Sequence, residues 1–183
     1  FRRVLFRSQA NTTGSYNTAV GVQALQANTT ASNIFFFKQK AAYENTTGEG
    51  NTALGRYALL SNTTGNYNTA VGLNSLRVAT ASNNVGVGVD SMRFNTTGTS
   101  NVAVGFSSLF SNTTASNNTA VGYQAGYSNV TGSPNEYFGY QSGYAGTGAQ
   151  NSGFGYKTLL NSTGSQNAAF GSQAMQSNTT GSY

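Results

Sequence analysis

Side chains able to do acid–base, nucleophilic or metal chemistry are scarce in this chain. Among 183 residues there are four carboxylates, Glu44, Glu49, Asp90 and Glu136, with no His and no Cys. Without thiol or imidazole there are no disulfide staples, no Cys or His metal sites, and no triad or dyad built on those groups. The carboxylates are scattered, so they form neither an acid pair for glycoside chemistry nor an Asp-rich turn for calcium. Gly86–Val87–Gly88 has no helix-forming segment behind it and resembles no phosphate loop. The expectation is a non-enzymatic protein with no cofactor and no metal.

Aromatic rings are the remaining candidates for ligand contact. Phe106, Tyr123, Tyr140 and Tyr156 each follow a glycine directly, and Phe110, Tyr127 and Tyr144 form a second run. Stacked at a regular spacing, such rings could offer a sugar- or protein-binding strip. A plainer reading makes them stabilising ladders or part of a contact between chains. Two other features have similar double readings. The N-x-[ST] triplets at Asn11, Asn28, Asn62, Asn95, Asn112 and Asn178 could accept glycans. They are read more simply as turn residues whose side chains bond the backbone and stack. Paired threonines could order water as an ice-binding face, but they fall in connectors beside Gly, not on a flat strand.

These residues are positioned by a repeat. A unit N-T-A-V-G-x-x-A-L-x-x-N-T-T-G-x-x opens at Asn17 and again at Asn51, Asn68, Asn84, Asn101, Asn118, Asn135, Asn151 and Asn167. From Asn51 onward the spacing is 16 or 17 residues. The fifth position is always glycine: Gly21, Gly55, Gly72, Gly88, Gly105, Gly122, Gly139, Gly155 and Gly171. An apolar residue precedes each, and Leu or Met follows four residues later except at Gly126 and Gly143. The apolar clusters are too short for helices and are punctuated by Gly and Asn, which tolerate positive φ. The pattern predicts an all-β parallel solenoid with two short strands in each 16–17-residue coil, stacked about 4.8 Å apart.

Composition sets the energetic problem. Gly, Asn and Thr number 23, 23 and 24, whereas Leu, Ile, Val and Phe together reach only 34, and 7% of residues are charged. Strand alternation predicts Val20 and its equivalents facing inward against Leu25 and its equivalents, with Ala19, Ala53 and Ala70 on a flat outer strip. One or two large apolar residues per strand cannot offset ordering about 17 residues at about 1 to 2 kcal/mol each. Hydrogen bonds between coils and association of chains must supply the rest, so an oligomer is expected. No apolar run approaches a membrane span, and no membrane insertion is expected.

Two stretches break the repeat. Phe1–Ser8 (FRRVLFRS) and Phe35–Glu44 (FFFKQKAAYE) resemble translated sequencing adapters, the second departing at Ala41. They are treated as foreign, leaving a repeat domain over 9–183 interrupted at 35–44. They hold five of nine basic residues, Arg2, Arg3, Arg7, Lys38 and Lys40, so the basic balance does not argue for a nucleic-acid partner.

The N-T-A-V-G-x-x-A-L unit with its N-T-T-G connector resembles the head repeats of YadA-type trimeric autotransporter adhesins and related bacterial surface and phage tail-fibre-like proteins. The resemblance covers Gln9–Tyr183 outside the foreign stretch. It implies a left-handed β-roll, a homotrimer, and an extracellular place on a cell surface or virion fibre. The implied partner is a host-surface protein or glycan. The alternative is a monomeric solenoid that binds carbohydrate or ice.

Overall fold

The computed structural model of the chain describes residues 10–178; Phe1–Ser8 lies outside them. Ten short strands follow one another: β1 (Thr18–Val20), β2 (Phe35–Phe37), β3 (Thr52–Leu54), β4 (Thr69–Val71), β5 (Val85–Val87), β6 (Val102–Val104), β7 (Thr119–Val121), β8 (Asn135–Phe138), β9 (Asn151–Phe154) and β10 (Ala168–Phe170). Each pairs in parallel with the next, in chain order, to give one ten-stranded sheet. Thr52, Thr69, Val85, Val102 and Thr119 lie side by side in register. The chain is therefore a β-solenoid of about nine turns, with about 43 Å between the first and last strands at ordinary strand spacing.

Each coil has one strand where the sequence predicted two. The A-L cluster is turn, not strand, because its residues alternate into the left-handed region: φ is 62° at Tyr57 and 51° at Leu59, and 51° at Ser107 and 47° at Leu109. Left-handed backbone is uncommon away from glycine. Here it is held by bonds between coils, such as the Leu59 N–H to the Ser75 carbonyl at 3.1 Å, and by burial of the Leu side chain.

The facing of the strands is also the reverse of the expected one. Ala53, Ala70, Ala103 and Ala120 are fully buried, while Leu54 is 39% exposed and Val71, Val87, Val104 and Val121 are half-buried. The interior is too thin for two layers of large side chains. Leu25, Leu59, Leu76, Met92, Leu109 and Leu159 fill it, so the strand opposite must contribute small residues. A Cβ on Gly86 would already meet Ser75 Oγ at 2.6 Å and Leu76 Cγ at 3.2 Å. Where the strand does contribute a ring, the opposite position shrinks. Tyr137 points inward at 1% exposure, and a Cβ on Gly143 would strike its ring. Phe36 takes the same inward position, and its coil carries Ala42 where others carry Leu.

Phe35–Glu44 supplies the strand and the following turn of the coil that runs from Ile34 to Gly50. β2 pairs with β1 and β3, and Ile34 stands level with Asn17 and Asn51. One residue in it departs from the geometry of its neighbours' sequences: Lys38 holds the invariant-glycine position at φ 114°.

Candidate functional site

The glycine column determines how the surface residues beyond it are aimed. Gly21, Gly55, Gly72, Gly88, Gly105, Gly122, Gly139, Gly155 and Gly171 have φ between 114° and 156°. A Cβ at Gly105 would collide with the carbonyl of Gly122 on the next coil, and the column repeats this down the stack. At this corner the chain leaves the sheet, and the next side chain projects to solvent. That position is filled by Phe106, Tyr123, Tyr140 and Tyr156 on four consecutive coils, 45%, 41%, 43% and 47% exposed.

The four rings form a continuous stack. Centroids are 5.4, 5.0 and 5.3 Å apart and the planes lie within 16° of parallel. The spacing is that of the strands with a slight offset, which suits ring quadrupoles. Phe110, Tyr127 and Tyr144 form a second stack at 4.9 and 5.0 Å, with Phe94 edge-on to Phe110. A third stack, Phe138, Phe154 and Phe170, runs on the outer sheet face at 4.8 and 4.9 Å. The sequence signal for it was the replacement of Val by Phe at that position in three successive units; its outward direction could not be read until the facing of the strands was known.

The stacking limits what these rings can do. At about 5 Å each face is covered by its neighbour, so the strip offers ring edges and, for tyrosines, hydroxyls. A sugar ring needs an open aromatic face to stack on, and within the column there is none.

The asparagines and threonines are largely committed to the fold. Asn28, Asn62, Asn95 and Asn112 are fully buried, which removes them as glycan acceptors in the folded chain. Asn62 Nδ2 donates to Asn45 Oδ1 at 2.7 Å and to the Gly65 carbonyl at 3.0 Å. The unit-opening asparagines form a second column: the Asn118 N–H donates to Asn101 Oδ1 at 2.9 Å, while Asn101 Nδ2 donates to the Ala115 carbonyl at 2.9 Å. Thr46 and Thr96 donate their hydroxyls to the Thr63 and Thr113 carbonyls at 2.9 Å, so one threonine of each such pair is not free to order water.

The carboxylates stay apart, as Glu44, Glu49, Asp90 and Glu136 fall on different coils or positions, and no three gather among the described residues. Asp90 accepts from Arg93 at 3.2 Å and from Asn74 at 3.0 Å. Among the described residues the most perturbed titratable group is Tyr137, whose hydroxyl is pushed up to about 12 by burial, with a hydrogen bond from the Asn151 side chain acting the other way. Among the described residues no helix is long and apolar enough to cross a membrane. Compared with protein-family models, with curated proteins and with solved structures, the chain matches none.

Proposed function

We propose that this chain is a non-enzymatic segment of an attachment fibre: a left-handed β-roll that associates as a homotrimer, exposed on a cell surface or virion. The observation that carries the reading is the outer sheet face. On β1 and β3 to β7 the outward pair is Thr or Val with Leu or Val, and on β8 to β10 it is Glu136, Ser152 or Ala168 with Phe; Leu54 and Phe170 are 39% and 71% exposed. A long, flat, nearly uncharged apolar face is costly to leave in water and marks a surface that packs against another. Only Glu136 among the outward strand residues carries charge. Chain association through this face would also supply the burial that the thin interior lacks.

In such a rod the aromatic stacks would be presented in several equivalent copies, and weak contacts with a host-surface protein or glycan would gain strength by avidity. Edge-presenting tyrosines suit hydrogen bonding and packing against a protein surface. Light scattering on the full chain tests the association directly. Three chains per particle is the expected result. A single chain that binds carbohydrate or shows thermal hysteresis would replace this reading with that of a monomeric solenoid binding sugar or ice.

A further inference from the structure

Few side chains here compete with tyrosine for an oxidant. The chain has no Cys, no Trp and no His, and its two methionines differ in access. Met92 is fully buried, and Met175, 38% exposed, takes up an oxygen atom as sulfoxide, which joins it to nothing. Loss of a single electron therefore falls on tyrosine.

The fold brings tyrosines together in pairs. Tyr123 and Tyr140, on successive coils, are stacked at 5.0 Å with their planes 8° apart, and Tyr140 and Tyr156 at 5.3 Å and 16°. Tyr127 and Tyr144 repeat the arrangement at 5.0 Å and 15° in the second column. Stacking covers the faces of Tyr123 and Tyr140, but their edges are open to an oxidant. Tyr67 is more exposed and lies against Gly50, not against a tyrosine. Lys157 sits over the Tyr156 ring at 5.3 Å, and a cation there opposes removal of an electron. Tyr123 and Tyr140 are thus the favoured pair of their column.

We propose that Tyr123 and Tyr140 are a modification site, where a haem peroxidase acting with hydrogen peroxide joins successive coils through dityrosine. Each phenol gives up one electron and its hydroxyl proton, leaving a radical shared between the oxygen and the two ortho carbons, Cε1 and Cε2. One ortho carbon of each ring forms the new C–C bond, and the hydrogen on each of those carbons moves to its ring's oxygen, restoring both phenols. In sum two C–H bonds break and one C–C bond forms, while the two electrons and two protons released convert one hydrogen peroxide to two waters. The stack supplies the encounter, because each ring already faces its partner and the open edges leave room for the rings to hinge until the ortho carbons meet. The bond ties neighbouring coils that are otherwise held by hydrogen bonds and a thin core. The inference goes beyond the attachment reading and does not rest on chain association.

The test treats the full chain, kept dilute, with a haem peroxidase and hydrogen peroxide, then denatures it and digests it after glutamate. Cleavage at Glu136 puts Tyr123 and Tyr140 on different peptides. The expected product is a single chain with dityrosine fluorescence, lighter by two hydrogens for each bond formed, in which those two peptides stay joined. Y127F/Y144F, which disarms the second column, should keep the joined product, and adding Tyr123→Phe to that pair should abolish it. Tyr67→Phe, which removes a more exposed tyrosine, should change nothing. Phenylalanine keeps a ring in each stack, and unaltered circular dichroism of each variant shows that the fold is kept. No joined peptides from the unaltered chain, products that join separate chains only, or a joined product that survives Tyr123→Phe in Y127F/Y144F would overturn the proposal.

Discussion

Tyr137 shows how one buried side chain couples fold to pH. Its ring is inside the solenoid at 1% exposure, and burial raises its hydroxyl from 10.0 to about 12. The folded chain therefore holds this proton more tightly than the unfolded chain does. The stabilisation is fully present below pH 10 and is lost as pH rises through about 12, amounting to about 2 to 3 kcal/mol. Denaturant titrations between pH 9 and 12 should show this alkaline loss in the unaltered chain and a smaller one in Tyr137→Phe, which cannot ionise. Lys38 makes the opposite case, a side chain the backbone would be better without. It sits at φ 114° in a column otherwise made of glycine. Strain of this kind costs about 1 to 3 kcal/mol, so Lys38→Gly should raise the melting temperature. An unchanged or lower value would show that the position tolerates a side chain.

The coil is held less by its core than by two asparagine columns. Asn101 satisfies the Ala115 carbonyl with its amide group and the Asn118 N–H with its oxygen, all of them buried. Truncation to Ala leaves both partners unsatisfied, at about 1 to 3 kcal/mol each. Asn101→Ala should therefore lose about 2 to 5 kcal/mol in chemical denaturation, whereas Thr114→Ala, on the exposed side of the connector, should stay within about 0.5 kcal/mol. Comparable losses for the two would mean that the columns are incidental. The three 16-residue coils show the same economy, since the residue they drop lies in the connector. There the connector Asn is replaced by Ala79, Gly146 and Ser162.

For the whole molecule, the decisive property is which side of the sheet meets water. With Ala103 and Ala120 inside and Val104 and Val121 half-buried outside, the apolar ridge is available to a second copy. If chains associate there, Val104→Glu and Val121→Glu together should convert the particle to single chains by light scattering while circular dichroism is kept. Persistence of the larger particle would move the contact elsewhere, to the aromatic corner or the solenoid ends. Because the ridge carries almost no charge, association should change little between low and high salt.

The parallel stack, its period and the column of glycines were legible in the residues alone, because a repeat of 16 to 17 with an invariant Gly admits few ways to satisfy its backbone. The stacking of Phe106, Tyr123, Tyr140 and Tyr156 followed from the same period. The facing of the strand did not, since alternation in a three-residue strand says that two sets of side chains part company without saying which goes in. That choice depends on the width of the interior, which is set by Leu59 and its equivalents curling inward through left-handed turns that no strand rule anticipates. The exchange of Tyr137 for Gly143, and the alignment of Arg77 with Arg93, likewise belong to neighbours across or between coils. Proximity of that kind appears only when the turns have been closed in three dimensions.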